Sequence, residues 1–128
     1  MAKEIEVMIA RQAGFCFGVK RAIDMAFDAA KKCKDVYTFG PIIHNPQVID
    51  KLKSEGVLIT ENIDSESIKA LIIRTHGVPE DISNKLARKN YEVIDATCPF
   101  VKKAQQYAKL LKEEGYQVVI IGDKEHPE

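Results

Sequence analysis

A chain of 128 residues carrying nineteen basic and nineteen acidic side chains has no basic surplus for nucleic acid and no charged block to serve as a tail. Its 45% hydrophobic and 30% charged content is that of an ordinary soluble globular protein, able to bury roughly two-thirds of its unfolded surface. No apolar run approaches the ~18 residues of a membrane span, and the amino terminus lacks a signal-peptide core, so a cytoplasmic protein without nucleic-acid or membrane partners is expected.

Glu4-Ile-Glu-Val-Met-Ile9 alternates as a strand does. Gly14-Phe-Cys16-Phe-Gly18 reads as a loop. Val19, Ala22, Ile23, Ala26 and Phe27 then recur at helical spacing, which predicts a helix to about Lys32. Lys31-Lys32-Cys33-Lys34 is a solvated helix end of the sign the helix dipole favours, with Cys33 a small half-buried residue. Val36-Tyr-Thr-Phe39 is β-branched and aromatic, hence a strand. After the Gly40-Pro-Ile-Ile-His44 loop, Asn45-Pro46 signals a helix start, because Asn caps and Pro tolerates the first helical position. Gly56 ends that helix.

Val57-Leu-Ile-Thr60 is the next strand, and Asn62 to Ser67 is a short helix or a turn. Ala70-Leu-Ile-Ile-Arg74 is apolar throughout, as inside a parallel sheet. Pro79 opens a helix expected to end near Asn90. Tyr91-Glu-Val-Ile-Asp95 is a strand, Cys98 lies in the loop after it, and Val101, Ala104, Tyr107, Ala108 and Leu111 mark a helix closed by Gly115. Gln117-Val-Val-Ile-Ile121 is the last predicted strand, followed by the loop Gly122 to Glu128. The alternation of strands and helices predicts an α/β fold: a parallel sheet with flanking helices.

One phrase occurs twice. Cys16-Phe-Gly-Val-Lys-Arg-Ala22 and Cys98-Pro-Phe-Val-Lys-Lys-Ala104 share Cys-x-x-Val-Lys-basic-Ala, as one unit used twice. Cys16, His44, His76, Cys98 and His126 each follow a predicted strand by a few residues. In a doubly wound sheet those loops share the edge where ligands bind. In a reducing compartment cysteines point to metal or redox chemistry rather than disulfides. A structural zinc site wants four ligands, commonly from closely spaced pairs, and no such pair occurs. Thiolates also hold iron–sulfur clusters, but two are too few for a cubane; a third copy of the phrase would make three and leave one iron open. Imidazoles beside helix amino ends suit a phosphorylated ligand. Glu128, two residues beyond His126, offers a carboxyl that passes a proton to a substrate. Two further readings are a flavodoxin-like phosphate-binding module without redox metal, and a zinc-binding domain built on Cys16, Cys98 and histidines.

Ala13-Gly-Phe-Cys16-Phe-Gly-Val-Lys20, Gly40-Pro-Ile-Ile-His44-Asn-Pro46, Arg74-Thr-His76-Gly-Val-Pro79, Asp95-Ala-Thr-Cys98-Pro-Phe-Val101 and His126-Pro-Glu128 together resemble the LytB/IspH family of 4-hydroxy-3-methylbut-2-enyl diphosphate reductases. The resemblance covers the whole chain, with five motifs in the family's order. It implies an oxidoreductase of the non-mevalonate isoprenoid pathway that makes isopentenyl and dimethylallyl diphosphate by reductive dehydration of an allylic diphosphate. It implies a pseudo-three-fold trefoil of α/β domains around a [4Fe-4S] cluster, with an electron donor such as ferredoxin or flavodoxin. Residue by residue, Cys16 and Cys98 match two of three cluster ligands. His44, His76 and His126 match the diphosphate-binding histidines, with His126 also aiding proton delivery, and Glu128 matches the acid that protonates the leaving hydroxyl. The third cysteine of the family has no match, so the chain is expected to be an amino-terminal fragment, inactive alone. In the trefoil, residues 17–98 are expected to be the first unit. Residues 99–128 would begin the second, and residues 1–16 would belong with a missing carboxyl-terminal unit.

Overall fold

Four short runs of β-branched and aliphatic residues pair side by side in the computed structural model, which describes residues 5–126. They are β1 (Val36–Phe39), β2 (Val57–Thr60), β3 (Ala70–Ile73) and β4 (Glu92–Asp95). All pair in parallel, in the order β2-β1-β3-β4. Val36 stands beside Val57 on one side and Ala70 on the other, and Ile73 stands beside Asp95. The helices are α1 (Phe17–Lys32), α2 (Pro46–Ser54), α3 (Glu80–Leu86) and α4 (Pro99–Glu113).

Strand side chains alternate between faces, and each face has its own core. Ala22, Ala26 and Ala29 of α1 and Leu52 of α2 pack with Val36, Val57, Ala70, Ile72 and Ala96. The alanines, one turn apart, give α1 a smooth buried stripe. On the other face Leu71 and Ile73 pack with Ile63, Ile68 and Leu86 of α3. β3 is buried at all four positions, which explains its unbroken apolar run. Each fully buried Leu or Ile there contributes roughly 1.5–3 kcal/mol. The predicted cap is present: Val48 N–H donates to Asn45 Oδ1 at 3.1 Å, with Pro46 opening α2.

Residues 62–67, read as a short helix or a turn, form turns. Several expectations need correction. The third helix stops at Leu86, not near Asn90; Arg88 N–H donates to Lys85 O and Lys89 N–H to Leu86 O, which close the tight turn leading to β4. The predicted strands at 4–9 and 117–121 join no ladder among the described residues, and Glu4 lies outside them. Most of their apolar side chains face solvent, with Ile5 86% and Ile121 96% exposed. Alternation is a local pattern, while a strand requires a partner edge, and neither segment meets one. Similarly, α4 has the spacing of an amphipathic helix but buries no residue, and Phe100 is 75% exposed.

Candidate functional site

β1 is flanked by β2, which follows it in sequence, and by β3, so chain direction across the sheet reverses between β1 and β3. Crevices for ligands open at the carboxyl end of such a switch point. The two loops leaving that point carry His44 and His76. His44 is exposed and stands one residue before the Asn45 cap of α2, at the positive end of that helix. His76 is half-buried. The ring centroids are 5.1 Å apart with the planes tilted by 42°.

Thr75, buried at the end of β3, stitches the loops together. Its backbone N–H and its hydroxyl both donate to Ile42 O, at 3.4 and 3.1 Å. Its own carbonyl accepts the Cys98 N–H at 2.8 Å. Gly77 follows with φ +76°, a conformation that favours glycine. A Cβ there would also stand 3.0 Å from Gln105 Nε2 and 3.1 Å from Thr97 Cγ2, so the His76 loop is pressed against the start of α4.

The repeated cysteine phrase is one local structure built twice. Cys16 and Cys98 are the amino-terminal caps of α1 and α4, at φ −64°, ψ 165° and φ −55°, ψ 129°. In each, the first helical bond runs from a lysine to the cysteine carbonyl: Lys20 N–H to Cys16 O and Lys102 N–H to Cys98 O, both 2.9 Å. Neither thiol caps its helix. The two helix ends meet at Gly18, where an added Cβ would lie 2.7 Å from Cys98 Sγ. Arg21 of α1 also donates to Thr97 O at 3.4 Å. Cys33 lies at the far end of α1, its Sγ 3.8 Å from Ala29 O.

Asp95 anchors the amino end of α4. Its carboxylate accepts the Thr97 N–H at 3.0 Å and the Lys102 ammonium at 2.5 Å. Burial by itself raises its pKa, but the bonds from Lys102 and Thr97 outweigh that, and the group titrates below the ordinary carboxylate value. A depressed pKa stabilises the fold above the unfolded value, and that stability is lost as pH falls through the folded one. Asp95→Asn should therefore lower stability at neutral pH and flatten its decline in acid; unfolding curves taken across the acid range check this, and parallel curves for both proteins would count against it.

Of the five predicted loop residues, His44, His76 and Cys98 follow true strands. Cys16 does not, because residues 5–9 form no strand, yet α1 brings its own end to Cys98. His126 follows no strand either; it sits in a turn with its N–H donating to Asp123 O at 3.1 Å. Glu128 lies outside the described residues. No group of three or more His, Cys, Asp or Glu able to hold a metal occurs among the described residues, so a closed four-ligand zinc site is not assembled there. The two cysteines do fit a share of a thiolate-held cluster: both stand at helix amino ends, whose free N–H groups suit an anionic group, and the contact at Gly18 joins those ends. Sequence reasoning missed Thr75 and the role of Gly18. The repeat held one signal, since its third position is Gly18 in one copy and Phe100 in the other. Only the first copy is cut back for close approach.

A family model described as LytB protein matches residues 7–128. The 4-hydroxy-3-methylbut-2-enyl diphosphate reductase of Pelobacter propionicus is 52% identical over 124 residues, which are 97% of this chain and 44% of that protein. A solved (E)-4-hydroxy-3-methyl-but-2-enyl diphosphate reductase superposes with a TM-score of 0.81 at 46% identity, covering 94% of this chain and 43% of that one. The corresponding reductase of Plasmodium falciparum gives 0.84 at 34% identity, covering 91% and 37%. The chain thus spans less than half the length of the relatives it matches.

Proposed function

The chain belongs to the LytB protein family, and from that premise we propose that it is part of a 4-hydroxy-3-methylbut-2-enyl diphosphate reductase, a cytoplasmic oxidoreductase of the non-mevalonate pathway. The observation that carries this reading is the pair His44 and His76, 5.1 Å apart at the switch point, on loops that Thr75 ties to the Cys98 loop.

The substrate diphosphate is held at the histidine pair. N–H groups of His44 and His76 donate to its oxygens, and the amino end of α2 adds its dipole. His126 completes the histidine set. Cys16 and Cys98 would hold a [4Fe-4S] cluster together with a third cysteine outside residues 1–128. When bound, that cluster supplies two electrons, drawn from a carrier such as ferredoxin or flavodoxin, to the allylic carbon–oxygen bond. Cleavage releases the hydroxyl as water, so the balance requires two electrons and two protons. Glu128, beside His126 in sequence, donates one proton to the departing hydroxyl; the other ends on carbon and gives isopentenyl or dimethylallyl diphosphate. Within the parent protein, residues 17–98 form the first of three α/β units. Residues 99–128 begin the second, and residues 1–16 join the third. The solvent-facing side chains of 5–9, α4 and 119–121 support that division.

His44→Phe and His76→Phe should each weaken diphosphate binding roughly ten- to hundredfold, the loss of about 1.5–3 kcal/mol for a charge-assisted hydrogen bond. Calorimetry with inorganic pyrophosphate measures this. Affinities equal to the parent's in both variants would remove the anion-binding role.

A further inference from the structure

We propose that Thr75 is a positioning residue that sets the diphosphate end and the cysteine end of the site from one point. The proposal rests on the anion-binding reading of His44 and His76.

The loops after β1, β3 and β4 leave neighbouring points on the carboxyl edge of the sheet, and Thr75 bonds to two of them while forming part of the third. Toward β1, its hydroxyl and N–H converge on the single acceptor Ile42 O, two residues before His44. Toward β4, its carbonyl takes the N–H of Cys98 at 2.8 Å. Along its own chain, the next residue is His76. Thr75 is only 6% exposed, so water does not compete for its hydroxyl, and that bond is directional and persistent.

The backbone bonds at Thr75 do not need its side chain; the hydroxyl bond does, and valine or alanine removes it. Without it, Ile42 O keeps only the longer bond of 3.4 Å. The loop of residues 40–45 then loses the shorter of its two bonds from Thr75, and His44 can drift from His76. A divergent pair cannot grip one diphosphate from two sides, because hydrogen bonds weaken steeply with misalignment. The β-branched shape of Thr75 is not the point, since valine has it too.

The test uses the full chain with Thr75→Val, Thr75→Ala and Thr75→Ser, probed with inorganic pyrophosphate by calorimetry and with imidazole and backbone resonances by NMR. The expected result is a loss of about tenfold in pyrophosphate affinity in the valine and alanine variants, and recovery to within about threefold of the parent in the serine variant. In step, the nuclear Overhauser contact between the His44 and His76 rings should fade in the first two and persist in the third. The amide of Ile43 should shift with it. A ring contact retained in Thr75→Val or Thr75→Ala would overturn the proposal, as would a serine variant no better than valine. If valine and alanine both fail to fold, Thr75 is a stability residue and the positioning role is also overturned. Should His44→Phe and His76→Phe leave pyrophosphate binding intact, the anion-binding reading fails, while the ring contact still decides the role of Thr75.

Discussion

Cys16→Ser and Cys98→Ser should each strip most of the iron from the protein carried to the length of its relatives, while Cys33→Ser should keep it. The three thiols differ by position. Cys16 and Cys98 cap two helices whose amino ends meet at Gly18. Cys33 sits at the opposite end of α1 with its sulfur directed at the Ala29 carbonyl. A cubane held by three thiolates cannot spare one, whereas loss of a thiol packed against the core changes only local packing. Gly18→Ala is the sharper companion, since it leaves every thiol in place. A Cβ 2.7 Å from Cys98 Sγ cannot be accommodated without moving the sulfur or the start of α1. Its iron content should fall toward that of Cys98→Ser. Iron and acid-labile sulfide after anaerobic reconstitution provide the measurement. Equal loss in all three cysteine variants, or full iron in Gly18→Ala, would contradict the geometry.

The sheet was legible because its signals are local and redundant. The aliphatic run at 70–73 predicts a strand covered on both faces, and β3 is buried on both. Asn45-Pro46 announces a capped helix, and the cap forms. The cysteine phrase, read as one unit used twice, yields matching caps and matching first hydrogen bonds. The errors share one cause. Residues 5–9 and 117–121 have strand-like composition, but composition names no partner, and the free edges of β2 and β4 remain uncovered by either. Apolar segments left without partners promote association, and these two lie within residues 1–16 and 99–128, which are proposed to meet other units.

The site was legible by address and not by contact. That His44 and His76 lie in loops after strands follows from alternation alone. That the two loops neighbour each other depends on strand order, which a single sequence does not state, since β1 pairs directly with β3 although β2 comes between them in the chain. Thr75 carried no mark of its own, because a threonine before a histidine is ordinary until the register places it against Ile42. The Gly18 contact is likewise a fact of tertiary approach, hinted at only by the asymmetry of the repeat.

Glu128→Gln should lower turnover by ~10²–10⁴-fold, the range of a lost general acid, while leaving iron content and diphosphate affinity near those of the parent. The reasoning is chemical, from the assignment of Glu128 by its His126-Pro-Glu128 motif. Glutamine keeps the length and hydrogen-bonding shape of glutamate but has no acidic proton to give. Cleavage of the allylic carbon–oxygen bond then expels hydroxide rather than water, a far poorer leaving group near neutral pH. Binding should survive, because the proposed anion contacts come from His44, His76 and His126, and iron should survive, because the proposed ligands are thiolates. The substitution thus separates proton supply from both other parts of the site. Steady-state turnover of the allylic diphosphate with a strong chemical reductant, set beside iron content and pyrophosphate affinity, makes the comparison. Near-normal turnover in Glu128→Gln would move the acid role to His126 or to a water. Loss of iron or of affinity along with turnover would show that Glu128 supports the site's structure instead.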